Sequence, residues 1–214
     1  LVVTLQCDGN GEVPRDKPLS PLWQAMQETV TVPRPGTERT DTLRLVKDTN
    51  ILRVILQRRD GATLHAADYG FRILCLHGNG RLAYDNTLLD CRPLVYHPYL
   101  QTDGTDGEDS GGAEAVSNVI AELSLSRLLE DDAMRLHITD ASGNATLIDI
   151  PLMEYLLMTQ REQDSRILSD QEYLDRQDFF TITLFLEGKP GEEHWFDGLI
   201  IINGWALRPG SVDL

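Results

Sequence analysis

"SDQEYLDRQDFFTITLFLEG", residues 169–188, changes character at Asp178: charges crowd its first half, and its second half alternates apolar with polar. Alternation at period two marks a strand in a sheet, because successive side chains point to opposite faces. In "DFFTITLFLE" this sends Phe180, Ile182, Leu184 and Leu186 inward and Thr181 and Thr183 outward. The charges ahead of it suit a short helix. Ser169 is placed to cap its N-terminus, Asp170 and Glu172 favour the positive end, and Arg176 favours the negative end.

The same period recurs along the chain. "NILRVILQRR" (50–59) sets Leu52, Val54 and Leu56 on one face and Ile51, Arg53 and Ile55 on the other, the pattern of an interior strand. "LVVTLQ" (1–6), "ETVTVP" (28–33), "DTLRLVKD" (41–48) and Val116–Leu125 read as strands as well. "AMRLHITD" (133–140) and "NATLIDIP" (144–151) read as a hairpin across "ASGN". "YGFRILCLHGNGRLAYDN" (69–86) reads as a second hairpin, turning at His77-Gly78-Asn79-Gly80. Pro93 and Pro98 confine "RPLVYHPYL" (92–100) to an edge or an extended bridge, since proline donates nothing to a ladder.

"QTDGTDGEDSGG" (101–112) has no apolar residue and reads as a surface loop or disordered tip. "HWFDGLIIINGWALRP" (194–209) reads as a strand apolar on both sides, with Trp205 in the core. Helical turns are expected in "SPLWQAMQ" (20–27), with Ser20 as cap and Pro21 at the first helical position, and in "PLMEYLLMTQ" (151–160). Roughly seven strands between residues 50 and 207 predict an all-β chain folded as a two-sheet sandwich.

Composition narrows the function classes. The 214 residues, 41% of them hydrophobic, suffice for one core or slightly more, in a soluble globular chain. With 34 acidic against 19 basic residues and a net charge of -15, the chain repels phosphate backbones, so no nucleic-acid partner is expected. No stretch reaches the roughly 18 apolar residues of a membrane span, and residues 1–20 lack the pattern of a signal peptide. "LVVTLQ" reads as a start inside a strand, with residues expected upstream of it. Cys7, Cys75 and Cys91 form neither a disulfide framework nor a paired zinc motif; a Cys75–Cys91 bridge is open, and small buried thiols are the reading preferred.

No catalytic, cofactor-binding or metal-ligating residue is assigned. His65, His77, His97, His137 and His194 never fall at a spacing that presents two imidazoles to one ion. Counted as a calcium loop from Asp103 to Glu114, residues 103–114 put Thr105 and Gly107 where acidic ligands belong and Glu108 where glycine belongs, so Asp103, Asp106, Asp109 and Glu114 read as a solvated tip. No nucleophile elbow or phosphate-cradling glycine loop is present. Trp23, Trp195 and Trp205 are the aromatics available to stack on a sugar.

Several stretches together carry a more specific signal: "LVKDTNILRVILQ" (45–57), "LAYDNTLL" (82–89) leading to "YHPY" (96–99), "VIAELSLSRLL" (119–129), "IPLMEYLL" (150–157), "QEYLDRQDFFTITLFL" (171–186) and "IIINGWAL" (200–207). In order and spacing the chain resembles the FimB-type fimbrial anchor subunits, the fimbrillin-A associated anchors of Bacteroides-type bacteria. The resemblance implies transthyretin-like β-sandwich domains in an outer-membrane lipoprotein that anchors a fimbrium and influences its length, without catalysis. It implies that residues 1–48 are the last strands of a first β domain and 49–214 a whole second domain. It also implies major fimbrillin or other fimbrial subunits as partners through sheet edges, and a lipid anchor upstream of this chain. Cys7 follows an interior strand and is not assigned the lipid. Arg34 is followed by Pro35, and Arg39 and Arg44 carry no protease signal, so no cleavage is expected. A cell-surface glycan-binding sandwich module is the alternative.

Overall fold

The alternating stretches become strands in the computed structural model of the chain, which describes residues 2–89, 91–106, 116–160, 169–189 and 192–208. In chain order they are β1 (Val2–Thr4), β2 (Trp23–Gln24), β3 (Val46–Lys47), β4 (Thr49–Arg58), β5 (Tyr69–Cys75), β6 (Arg81–Ala83) and β7 (Leu94–Tyr96). There follow β8 (Pro98–Asp106), β9 (Val116–Ser126), β10 (Met134–Asp140), β11 (Thr146–Pro151), helices α1 (Leu152–Leu157) and α2 (Asp170–Arg176), then β12 (Phe179–Glu187), β13 (His194–Ile202) and β14 (Trp205–Leu207).

Two sheets carry the core. The larger runs β14-β13-β12-β4-β9-β8, and the smaller runs β11-β10-β5-β7. In the larger sheet β4 and β12 are parallel, Leu52 beside Phe180 and Leu56 beside Leu184, and every other pair is antiparallel. Leu52, Val54, Leu56, Phe180, Ile182, Leu184 and Leu186 face Phe71, Ile73, Leu136, Ile138, Ile148 and Ile150 of the smaller sheet in one continuous buried cluster. The fold is all-β with short helical turns, and β4 takes its expected interior place. The hairpin β10–β11 forms with Ile138 opposite Ile148.

Proline sets the edges. β7 ends the smaller sheet and β8 ends the larger one, with Pro98 at the start of β8, so "RPLVYHPYL" bridges the two layers. The N-terminal segment is attached to the later strands: β1 pairs with β6, Val13 lies in the core and donates its amide to Val95, and the Leu19 amide donates to Ser124 Oγ.

Five expectations are corrected. First, residues 69–86 are not a hairpin. β5 is flanked by β10 on one side and by β7 on the other, so it has no free edge to offer β6. Asn79 is fully buried, donates to the Arg127 carbonyl and accepts from Tyr96 OH, while Gly78 at φ 72 packs on the Arg92 carbonyl; together they steer β6 toward β1. Second, "SPLWQAMQ" forms no helix, because its backbone finds distant partners: β2 pairs with β3, and the Asp48 amide donates to Leu22. Third, residues 28–45 belong to no strand; Val30, Val32, Leu43 and Leu45 are exposed, Val32 by 83%, with no ladder to join among the described residues. Fourth, residues 101–106 belong to β8, where pairing with β9 supplies the order that their composition withholds; residues 107–112 of the expected tip lie outside the described residues. Fifth, residues 194–207 are two strands, turned at Asn203 (φ 50) and Gly204 (φ 85), which leaves Trp205 on an edge and 43% exposed.

Candidate interaction surface

The charged run before β12 is a clamp. Ser169 Oγ accepts from the Glu172 amide at 3.1 Å and caps α2, and the Arg176 guanidinium pairs with Glu172 one turn away. The inner side of α2 buries Tyr173, which meets Phe180 edge-on at 6.4 Å and shares a hydrogen bond with Thr159, and Leu174 beside it. Asp175 holds Arg127 by two hydrogen bonds of 2.9 and 2.7 Å, and Gln171 donates to Leu128 O and Asp175 Oδ1. Gln171 and Glu130 exchange a reciprocal pair. The clamp therefore fixes the chain where it leaves β9. Nothing periodic announces Arg127, yet it is buried to 9% exposure.

Asp48 lies beside this network, buried in the lining of an apolar groove of about 350 Å³ that it shares with Leu5, Pro18, Leu19, Leu22 and Leu82. Burial pushes its carboxyl up to about 6; Arg127 pulls the other way and Asp175 adds to the rise. Because the folded value lies above the ordinary 3.8, the folded state holds a proton that the unfolded state releases. That stabilisation is complete below pH about 4 and is lost as pH rises through about 6. Relative to Asp48→Asn, the wild type should lose up to about 1.4 kcal/mol per pH unit across this window. Urea midpoints at pH 4, 5, 6 and 7 check this; a difference independent of pH would contradict it.

On the outer face of the larger sheet, Arg53 donates twice to Glu122 Oε1, at 2.8 and 2.6 Å, and Tyr99 OH donates to Oε2 at 2.6 Å. Desolvation raises the Glu122 carboxyl, but the hydrogen bonds from Tyr99 and Arg53 outweigh it and hold the group below its ordinary range. Arg53 also covers Phe179 at 5.0 Å, and Arg59 covers Phe196 at 3.8 Å. Ile51, Ile55, Ile120, Phe185 and Ile201 are half-buried between them.

β14 borders this face as the last strand of the sheet. Its turn is tied back to β12: the Thr181 amide donates to Asn203 Oδ1 and the Asn203 amide to Thr181 O, both at 2.9 Å. Ile202 and Trp205 flank the two-residue turn as its hydrogen-bonded pair, so Ala206, opposite Ile201, turns its N–H and C=O to the open side. Sequence periodicity missed this edge because the run of isoleucines conceals the turn at Asn203-Gly204.

The other candidate residues do not converge. His65 meets Asp103, His97 meets Glu12, His137 meets Arg72 and Thr146, and His194 pairs with Glu187. No group of three potential ligands stands together among the described residues. Asp109 and Glu114 lie outside those residues. Trp23 is 51% exposed with the Lys47 ammonium over its ring, and Trp195 packs on Tyr155 at 6.2 Å. Cys75 is buried against Asp132 and is not bridged to Cys91. No described helix is long and apolar enough to cross a membrane.

Comparison with known proteins gives this architecture a lineage. The family of fimbrillin-A associated anchor proteins Mfa1 and Mfa2 matches over residues 1–208. A proposed polysaccharide-binding protein from Bacteroides thetaiotaomicron is 33% identical with a TM-score of 0.73, over 97% of this chain and 66% of its own. A proposed adhesin from the same organism is 31% identical with a TM-score of 0.69, over 78% of this chain and 54% of its own. The fimbrial anchor protein Mfa2 of Porphyromonas gingivalis shares the fold at 18% identity and a TM-score of 0.62, over 96% of this chain and 65% of its own. The chain thus spans between 54% and 66% of the length of these solved relatives. No curated protein matches it. By the extent of the family match and the identity to its solved relatives, this chain belongs to the fimbrillin-A associated anchor family.

Proposed function

We propose that the chain is part of a non-enzymatic, adhesin-like surface protein, a fimbrial anchor or minor subunit. In this reading it holds a fimbrium at the outer membrane through a lipid anchor elsewhere in the protein, and it sets fimbrial length by its contact with the neighbouring subunit. The observation that supports it best is the ladder of β14, which among the described residues ends the larger sheet, beside an apolar outer face. An extended segment of a partner adds to such an edge through main-chain hydrogen bonds.

Ala206→Pro removes one outward N–H while sparing the pairs Trp205–Ile202 and Leu207–Ile200. It should weaken binding to purified major fimbrillin by about tenfold or more, the loss of about 1.4 kcal/mol, with Tm nearly unchanged. Biolayer interferometry measures it. Absence of wild-type binding, or equal binding by the variant, would sink the proposal.

Glycan binding is a second reading, favoured by the exposed Trp23 and by the 33% identical relative proposed to bind polysaccharide. Isothermal titration against host and dietary glycans decides it: saturable heat that Trp23→Ala abolishes supports this reading, and no heat above dilution refutes it.

A further inference from the structure

We propose that Cys7 and Cys91 form a disulfide that pins the N-terminal segment to the sandwich. The ladder between β1 and β6 continues past Thr4–Arg81 through the Leu5 amide, which donates to Gly80 O at 2.7 Å. Carried two residues further, the same register would set Cys7 level with Gly78. On this strip a side-chain carbon placed at Gly78 would lie 3.1 Å from Cys91 Cβ, and one placed at Gly80 would lie 3.4 Å from Cys91 Sγ and 3.3 Å from Leu5 Cβ. The Cys91 side chain therefore lies beside the two glycines, close to Leu5 in the segment that carries Cys7.

Cys7 in turn meets the residue next to Cys91. Its Sγ accepts from Arg92 Nη2 at 3.3 Å, and the other arm of the same guanidinium donates to Gly9 O at 2.9 Å. Both thiols are half-buried and line one groove with Leu5, Arg81 and Arg92, so a small oxidant reaches either. Cys75 is the opposite case: it is fully buried with its Sγ 3.3 and 3.4 Å from the Asp132 carboxylate oxygens. Glycine at 78 is what lets residues 91–92 pack this closely, since a side-chain carbon there would lie 2.1 Å from the Arg92 carbonyl oxygen and 3.1 Å from Cys91 Cβ.

The step is thiol–disulfide exchange with a low-molecular-weight disulfide such as oxidised glutathione. The Cys7 thiolate attacks one sulfur of the reagent, forming a mixed disulfide and releasing one glutathione thiolate. The Cys91 thiolate then attacks Cys7 Sγ, forming the Cys7–Cys91 bond and releasing the second. Two protein thiols lose two protons and two electrons, and one glutathione disulfide becomes two thiols. The segment held by the three pairs of β1 is then fixed covalently to the stretch that leads into β7.

The full chain is incubated with oxidised glutathione, alkylated with N-ethylmaleimide, digested without reduction and read by mass spectrometry. The expected result is a Cys7–Cys91 linked peptide, Cys75 alone alkylated after denaturation, and a Tm higher than that of the reduced protein by on the order of 5–10 °C. Cys7→Ser and Cys91→Ser should each abolish both the link and the rise. Alkylation of all three cysteines, glutathione adducts without a cross-link, or a Cys75–Cys91 link would overturn the proposal.

Discussion

Phe180→Ala is expected to destabilise the fold by about 4 kcal/mol, and to lower Tm by roughly 10 °C in a chain of this size. Phe180 is fully buried in β12, beside Leu52 of the parallel partner β4 and edge-on to Tyr173 of α2. It stands where the larger sheet meets the clamp helix. Ladders on both sides hold β12 in place, so the surroundings cannot collapse into the space that truncation leaves. Thr181→Ala, one residue on and facing outward, serves as a control and should cost under about 1 kcal/mol. Urea unfolding followed by circular dichroism measures both. A loss of under about 1 kcal/mol for Phe180→Ala would mean that the parallel pair is not the centre of the core.

Asp175→Ala should cost about 3 kcal/mol for a different reason, because it leaves the buried Arg127 guanidinium without its carboxylate. Of its side-chain hydrogen bonds Arg127 would keep the donation to Asn86 O, and Gln171 would lose one of the two acceptors of its amide. The double replacement Arg127→Met with Asp175→Leu removes both charges and should recover more than half of the loss, since an apolar pair of similar volume leaves no buried guanidinium without a counter-charge. The two variants are compared by urea midpoint. Equal losses in the single and the double variant would show that the pair is not coupled.

What the sequence makes legible here is the middle of each long strand. β4, β9, β10, β11 and β12 announce themselves because one face of each is buried, and burial writes period two into the chain. The clamp helix is legible by its cap, since Ser169 and the charge order of residues 170–176 are local chemistry. Pairing is not local. His77 to Gly80 reads as a hairpin turn, but β10 and β7 occupy both sides of β5, so β6 joins another ladder. Alternation at residues 28–32 and 42–45 states a capacity for strand, and no described sheet takes it up.

Edges are the least legible part. Trp205 sits in an apolar run that reads as core, yet the turn at Asn203-Gly204 folds it onto the last strand, where it is half in solvent. Arg127 and Asp175 are 48 positions apart and belong to no spacing rule, so only the folded chain brings them together. The family motifs lie largely on this frame: "QEYLDRQD" contributes the clamp, and "IIINGWAL" contributes the edge with its turn tied to Thr181. A family signature can thus record how a sandwich is closed and where it is left open.

The account turns on the side of β14 that faces away from β13, which no described strand pairs. Hydrogen–deuterium exchange of the full chain, alone and with a molar excess of purified major fimbrillin, tests it residue by residue. Slowed exchange confined to a peptide containing Ala206, with the amides of β4 unchanged, is the predicted result. Unchanged exchange at Ala206 in a mixture that demonstrably forms a complex would contradict the account.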